Sequence, residues 1–536
     1  MEPVDSIEHR QTTRSDDQSE VVLFLESGAG YDAAVERIDT HGAMIFLVGQ
    51  EALKIKRAVK YDYMDLSTVE KRRALLYREF ELNRDAAPSI YRAVKPLVRK
   101  ADGTVAMGSS GDSGEVLEWV LTMNRFPKEA ELSHIAKHVG IGDDLAIGLG
   151  VSIARYHDAA PVKRLDAHAL IKEILEELNR VFDTMHTTLG PDAARFLAVS
   201  RNALLDRTKR FKQRSLDGHV RRCHGDLHLR NIVMIDGVPT PFDALEFDER
   251  LGTCDTLYDL AFLLMDLDHL GMSRAANLVL NAYLGHAAPD LSQTGLSLLP
   301  LYLSLRAAIR AMVDVQLAAV SEADRERTPD AHAYLAQALD YLAPPPPVLV
   351  AIGGYSGTGK TTIARAIAHW IGASPGAIHI RSDVVRKALL RRDPLDHLGP
   401  EGYTPEITER TYAATRDQAG HILREGQAAI LDAVHSDPDA RAAAQAVATA
   451  AACGFIGIWL DSPTRTRLAR VASRGPDASD ADAAVVQAQS SADPGGITWH
   501  RVDADQPFQK VTGTISEILR ASGFANARDR GDKNVG

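Results

Sequence analysis

Four consecutive prolines, Pro344–Pro347, stand directly before an apolar, β-branched run, Val348–Ile352, deep inside a chain of 536 residues. A proline tract is stiff and extended and cannot continue a helix, so it separates the two segments on either side of it. The run after it has the length and composition of a buried parallel strand. Gly354-x-x-x-x-Gly359-Lys360-Thr361 comes next, and Ile363–Ile371 continues as a helix. Strand, glycine turn and helix in that order form a phosphate-binding loop. From Gly354 through Ser356, Gly357, Thr358, Gly359 and Lys360 to Thr361 and Thr362, backbone N–H groups close around phosphate oxygens at a helix N-terminus. Lys360 adds a charge for the β/γ-phosphates, and the Thr361 hydroxyl ligates Mg²⁺. ATP and Mg²⁺ are therefore the expected ligands of this half.

The length calls for more than one domain. The expected division is a disordered tail over 1–19, a first domain over 20–342, a linker over 343–347, a second domain over 348–525 and a tail over 526–536. An apolar share of 45% with 25% charged residues supports sizeable cores. The balance of 61 Lys+Arg against 72 Asp+Glu gives −11, which argues against broad binding to nucleic acid or anionic membranes. Cys223, Cys254 and Cys453 are scattered and fit neither a disulfide framework nor a zinc site. The polar start lacks an apolar signal core, and no stretch reads as long and apolar enough to span a bilayer. A cytoplasmic protein of undetermined oligomeric state is expected.

Upstream of the prolines, residues 35–100 read as short strands with one helix, "STVEKRRALLYREFELNRDA". Residues 143–341 are mostly helical, interrupted by short strands around "HVRRCHGDLHLRNIVMIDGVPTPFDALEF". In that stretch Asn231 stands five positions after Asp226, the spacing of a kinase catalytic loop, with a carboxylate beside the acceptor hydroxyl and an amide on a metal. Asp243 comes next, where a second metal-binding carboxylate is needed. Lys54 on a strand could hold the α/β-phosphates and Glu79 on the following helix could pin it; Lys56, two residues on, shares that strand face and competes for the assignment. His224, Asp226 and His228 could alternatively form a metal cluster. Asp248, Glu249 and Asp255 would suit a cationic acceptor, or be structural.

"HGDLHLRNI" followed by "FDALEFDERLGTCDTLYDLAFLLMDL" resembles the aminoglycoside phosphotransferase and choline kinase superfamily. The resemblance implies a two-lobed α+β protein-kinase-like fold, Asp226 as catalytic base, Asn231 and Asp243 as Mg²⁺ ligands and Lys54 with Glu79 as the phosphate-holding pair. His224 and Asp259 would brace the loop and the helix behind it. The glycine-rich covering loop of protein kinases is absent; "DTHGAMIFLVG" is its candidate replacement.

In the second half a strand ending at Ile380 delivers Arg381 and Asp383 to the C-terminal edge of a parallel sheet. Asp383 could take the acceptor proton, order the Mg²⁺ shell or cap the next helix. "AAILDAVHS" is a further strand ending in Asp432, where a carboxylate suits a water-mediated Mg²⁺ contact. Arg467, Arg470 and Arg474 recur at helical spacing and could clamp a transferring phosphoryl group. "GPDASDADAAVVQAQ" reads as a mobile lid. These features resemble small-molecule P-loop kinases, the gluconate kinase, chloramphenicol phosphotransferase and zeta-toxin relatives, which implies an α/β domain with a parallel sheet. Both halves in this order resemble a bacterial family of bifunctional aminoglycoside phosphotransferase/ATP-binding fusions. That resemblance implies two ATP-using modules on one polypeptide and says little about substrate; the leading expectation is phosphorylation of a small-molecule hydroxyl, on a sugar, amino sugar or amino alcohol. A regulatory switch in which one module gates the other, and a toxin-like or polynucleotide kinase activity of the second half, are the competing expectations.

Overall fold

The computed structural model describes residues 17–61, 64–109, 114–287, 294–320, 328–475 and 477–524. Both expected tails fall mainly outside these residues. Where the first tail enters the described part it is already tied down: Gln18 donates to Lys56 O at 2.9 Å and accepts from Ala58 N at 2.8 Å, and helix α1 begins at Ser19. The chain divides into two compact units, 1–140 with 222–254, and 141–221 with 255–536.

In the first unit, α1 (Ser19–Glu26) precedes an antiparallel sheet of β1 (Val35–Asp39), β2 (Ala43–Val48) and β3 (Glu51–Lys56), interrupted by α2 (Val69–Asn83) and completed by β4 (Tyr91–Arg99), β5 (Val105–Met107) and β6 (Glu115–Asn124). Spatial order is β1-β2-β3-β6-β4-β5. Strand β2 pairs with β3 through Ile45–Lys54 and Ala43–Lys56, so the two lysines fall on one face of the sheet. The other face buries Phe46, Leu53, Ile55 and Val120 with Val21 and Leu25 of α1. Helix α2 starts where Thr68 Oγ1 accepts from Lys71 N and carries Leu76 and Glu79 on its buried side. The candidate covering segment is the tight β1–β2 turn at residues 40–42. A helix, α3 (Leu132–His138), and a hairpin, β7 (Ile232–Ile235) with β8 (Val238–Pro241), complete this unit.

The second unit holds helices and a parallel sheet. Its helices include α4 (Asp143–Ala159), α5 (Ala167–Thr184), α6 (Pro191–Asp206), α7 (Thr208–Leu216), α8 (Thr256–His269), α9 (Ser273–Ala287), α10 (Leu299–Val320) and α11 (Thr328–Tyr341). One expectation fails here. Residues 296–318 are long and apolar enough to cross a membrane by length and composition, yet most of that stretch is buried inside the protein. Leu301, Tyr302, Leu305 and Ala308 are core residues, and Ser304 Oγ donates to Ala338 O at 2.7 Å, binding α10 to α11.

The sheet is β9 (Val348–Gly353), β10 (Ile378–Arg381), β11 (Ala429–Asp432), β12 (Gly454–Asp461) and β13 (His500–Asp503), in the order β10-β11-β9-β12-β13. The described pairings within it are all parallel. Every residue of β9 is buried, as a central strand covered on both faces requires. Helices α12 (Lys360–Ile367), α13 (Ser382–Leu389), α14 (Pro405–Arg424), α15 (Pro438–Ala450), α16 (Thr464–Ala472), α17 (Ala483–Ser490) and α18 (Phe508–Ala521) accompany it. The fold is thus an α+β unit built on an antiparallel sheet and a unit of helices with an α/β parallel sheet that carries the P-loop.

Candidate active sites

Alternation along β3 sends Lys54 and Lys56 to the same side, toward α2. There a single buried carboxylate receives both. Glu79 Oε1 lies 2.7 Å from Lys54 Nζ and Glu79 Oε2 lies 2.6 Å from Lys56 Nζ. Each lysine has a second carboxylate: Asp243 at 2.8 Å from Lys54, and Glu246 at 2.5 Å from Lys56. Burial would push Lys54 down, but Asp243, Glu79 and Glu246 outweigh it and hold its pKa well above the ordinary lysine value. Lys56 is likewise raised against burial by Glu79 and Glu246. Burial would raise Asp243, and the Lys54 ammonium reverses that and keeps its carboxyl below the usual range. Asp243 sits at φ 61, in the left-handed region that aspartate tolerates better than most residues. Its N–H donates to the Tyr91 hydroxyl at 3.0 Å, and Ala244 N donates to Asn83 Oδ1 at 2.9 Å, fixing this conformation.

The catalytic-loop candidates lie in the same unit. His224 Nε2 bonds Phe242 O at 2.8 Å and Leu245 N donates to His224 O at 2.9 Å, so His224 ties the loop to the Asp243 segment as expected of a brace. Asn231 Nδ2 donates to Asp226 O at 2.9 Å and to Asp226 Oδ2 at 3.1 Å. With its amide nitrogen spent this way, Oδ1 is the atom of Asn231 able to bind a cation. His228 Nε2 stands 3.4 Å from Asp226 Oδ2, while its Nδ1 accepts from Arg230 N and shapes the turn. In the second unit Asp259 bonds His157 Nε2 at 3.1 Å.

The acidic residues considered for a cationic acceptor are committed elsewhere. Glu249 pairs with Arg78 and Arg222, Asp248 Oδ1 accepts from Arg250 N, and Asp255 is buried against Arg214. The Lys56–Glu246 pair was missed by sequence reasoning. Its signal was a second charged residue close behind each candidate, Lys56 two residues after Lys54 and Glu246 three after Asp243.

At the P-loop site, Ser356 through Thr362 line one cavity of about 1190 Å³ together with Arg381, Asp383, Arg386, Tyr403, Asp432 and Asp480. The loop needs its glycines. Gly357 has φ 83, and a Cβ there would sit 2.6 Å from Arg467 O. Gly354, at φ 138, lies beneath the loop with its N–H donating to Val434 O. Lys360 Nζ donates to Tyr355 O at 3.2 Å, and burial lowers its pKa. Thr361 Oγ1 donates to Asp432 Oδ2 at 2.7 Å, and His379 Nε2 lies 3.0 Å from the same oxygen. Burial works against ionisation of Asp432, yet His379, Lys360 and Arg381 hold its carboxyl well below the usual range. Asp383 goes the other way: burial and the neighbouring Asp432 raise it. The α13 N-cap position belongs to Arg381 and no side chain caps it, so Asp383 is not a helix cap.

The three arginines separate. Arg470 donates to Thr358 O and Ala504 O and, like Arg474, lines the cavity. Arg467, expected beside them, does not line it. It is buried, bonds Thr464 and Ser490 and lies 5.3 Å from the centroid of the Tyr355 ring, because its turn of α16 faces the underside of the loop. The expected lid becomes helical at Ala483, but its described approach is anchored by Arg381–Asp477 at 2.7 Å and Lys387–Asp480 at 3.1 Å.

Residues 349–492 match the family model described as an AAA domain. A protein of Mycobacterium tuberculosis strain H37Rv, itself uncharacterized, is 28% identical over 500 residues, 90% of this chain and 95% of that protein. Two solved structures are similar to separate parts of the chain. A choline/ethanolamine kinase family protein from Mesorhizobium loti is 17% identical, covering 61% of this chain and 98% of its own, with a TM-score of 0.34. A gluconokinase from Sinorhizobium meliloti 1021 is 19% identical, covering 33% and 97%, with a TM-score of 0.24.

Proposed function

We propose that each module transfers the γ-phosphoryl group of ATP to a hydroxyl of a small molecule, a sugar, amino sugar or amino alcohol. The observation that carries this reading is the P-loop cavity, which runs from Lys360 and Thr361 to Asp383, a half-buried carboxylate with a raised pKa. A phosphate cradle and a proton acceptor in one cavity are what phosphoryl transfer to an alcohol requires.

Both sites offer hard oxygen donors that fit Mg²⁺: Thr361 Oγ1 with Asp432 in the second module, and Asn231 Oδ1 with Asp243 in the first. Bound there, the cation would neutralise charge on the β/γ-phosphates. In the first module Lys54 would hold the α/β-phosphates, oriented by Glu79, and Asp226 would accept the acceptor's proton. In the second, the loop N–H groups and Lys360 hold the phosphates, Asp383 takes the proton, and Arg470 and Arg474 offset charge on the transferring group. Arg467 supports the loop from below and touches no substrate.

The test incubates the full chain with MgATP and a panel of sugars, sugar acids, amino sugars, amino alcohols, nucleosides and 5′-hydroxyl oligonucleotides. A product heavier by one phosphoryl group on a small molecule is expected. ATP hydrolysis with no phosphorylated acceptor would contradict the proposal.

A further inference from the structure

Among the described strands, β10 is an edge of the parallel sheet, so one side of its backbone has no ladder partner. Helix α9, which lies before the proline tract, covers that side. Asn281 Oδ1 accepts from His379 N at 2.8 Å, and its Nδ2 reaches Ala377 O at 3.2 Å; Asn277 Nδ2 also donates to Ala377 O, at 3.1 Å. The same His379 contacts Asp432 Oδ2 through its ring. A carboxylate only accepts, so His379 Nε2 carries a proton and donates to Asp432 Oδ2. Thr361 Oγ1 and His379 Nε2 both bond Oδ2, leaving Oδ1 of Asp432 for a cation or its water shell.

We propose that Asn281 and His379 are positioning residues for the cation at Asp432, so that a helix from before the linker sets the metal site of the P-loop module. This rests on the reading of Thr361 and Asp432 as cation donors. Asn281 fixes the backbone of His379, His379 fixes the carboxylate rotamer, and neither touches nucleotide or acceptor. Removing such an outer partner costs about 10- to 100-fold in metal affinity.

The experiment measures ADP affinity by calorimetry, in Mg²⁺ and in EDTA, on the full chain carrying Asp243→Asn so that metal-nucleotide binding at the first site is suppressed. Asn281→Leu and His379→Phe should each weaken ADP binding about tenfold in Mg²⁺ and leave it unchanged in EDTA. His379→Gln, which keeps a side-chain donor, should recover most of the Mg²⁺-dependent affinity. If Asn281→Leu fails to fold, the His379→Phe and His379→Gln pair decides alone. Unaltered Mg²⁺ dependence in the folded variants, or equal losses in Mg²⁺ and EDTA, would overturn the proposal. Absence of any Mg²⁺ effect in the parent would instead overturn the underlying cation reading.

Discussion

Glu79 holds two ammonium groups, and the second partner of each separates two lysines that the sequence spacing leaves equivalent. Lys54 and Lys56 are equivalent in the strand pattern, but only Lys54 shares its ammonium with Asp243, the candidate metal ligand. Lys56 is committed to Glu246, away from that carboxylate. Lys56→Met should therefore act on stability more than on nucleotide affinity. It strands Glu246 and half of Glu79 in a buried position, which costs about 3–5 kcal/mol. Denaturant unfolding should show that loss, and the double variant Lys56→Met/Glu246→Gln should recover part of it. Asp383 carries a different consequence. Its raised pKa means that it takes up a proton at a higher pH than an ordinary aspartate. A base must be unprotonated, so the P-loop module's kcat should fall on acidification along a limb above the usual aspartate range. Asp383→Asn should lower kcat about 10²- to 10⁴-fold and abolish that limb in a pH–rate profile.

At the scale of elements, what was legible followed local chemistry. The β2–β3 hairpin shows in the apolar "AMIFLV" and the turn after it, α2 in its charged amphipathic pattern, and β9 with α12 in the glycine spacing. Local pattern is silent where tertiary packing decides. The apolar α10 is a core helix between other helices, and its length alone does not distinguish that from a membrane span. Arg467 lies at helical spacing from Arg470, yet the register of α16 against the loop sends it under Gly357. The Asn281–His379 bond joins residues 98 apart, a separation at which no pattern in a single sequence speaks. Asp255 shows the same gap between chemistry and context. It accepts from Arg214 Nε and Nη2, both at 2.6 Å, and caps α8 through Leu257 N. Asp255→Asn should thus cost about 3–5 kcal/mol, because it leaves the buried Arg214 guanidinium without its counter-charge. Thermal unfolding should register it, with substrate KM unmoved.

Across the whole molecule, buried histidines set how the protein tolerates acid. Burial lowers His369 and His435 to about 4 from an ordinary value of 6.5. The unfolded chain binds these protons and the folded chain does not, so stability is full above about pH 6.5 and falls as pH drops toward 4. His435 alone accounts for roughly 3 kcal/mol of that loss. Denaturant midpoints should decline across this window, and His435→Phe should flatten the decline. The two candidate sites could be proposed from the sequence because their motifs are local: nine residues carry the P-loop, and eight carry the candidate catalytic loop from His224 to Asn231. The groups that tune them, Lys56, Glu246, His379 and Asn281, come from distant segments and emerge only when the chain is folded.

The most direct test of two separate phosphoryl-transfer sites compares MgATP-dependent acceptor phosphorylation by the unsubstituted chain, Asp226→Ala and Lys360→Ala, with products tracked by mass. Each substitution should abolish transfer to one acceptor class, with Asp226→Ala lowering kcat and kcat/KM together by about 10²- to 10⁴-fold, and leave the other intact. Loss of all transfer in either variant alone would contradict the account.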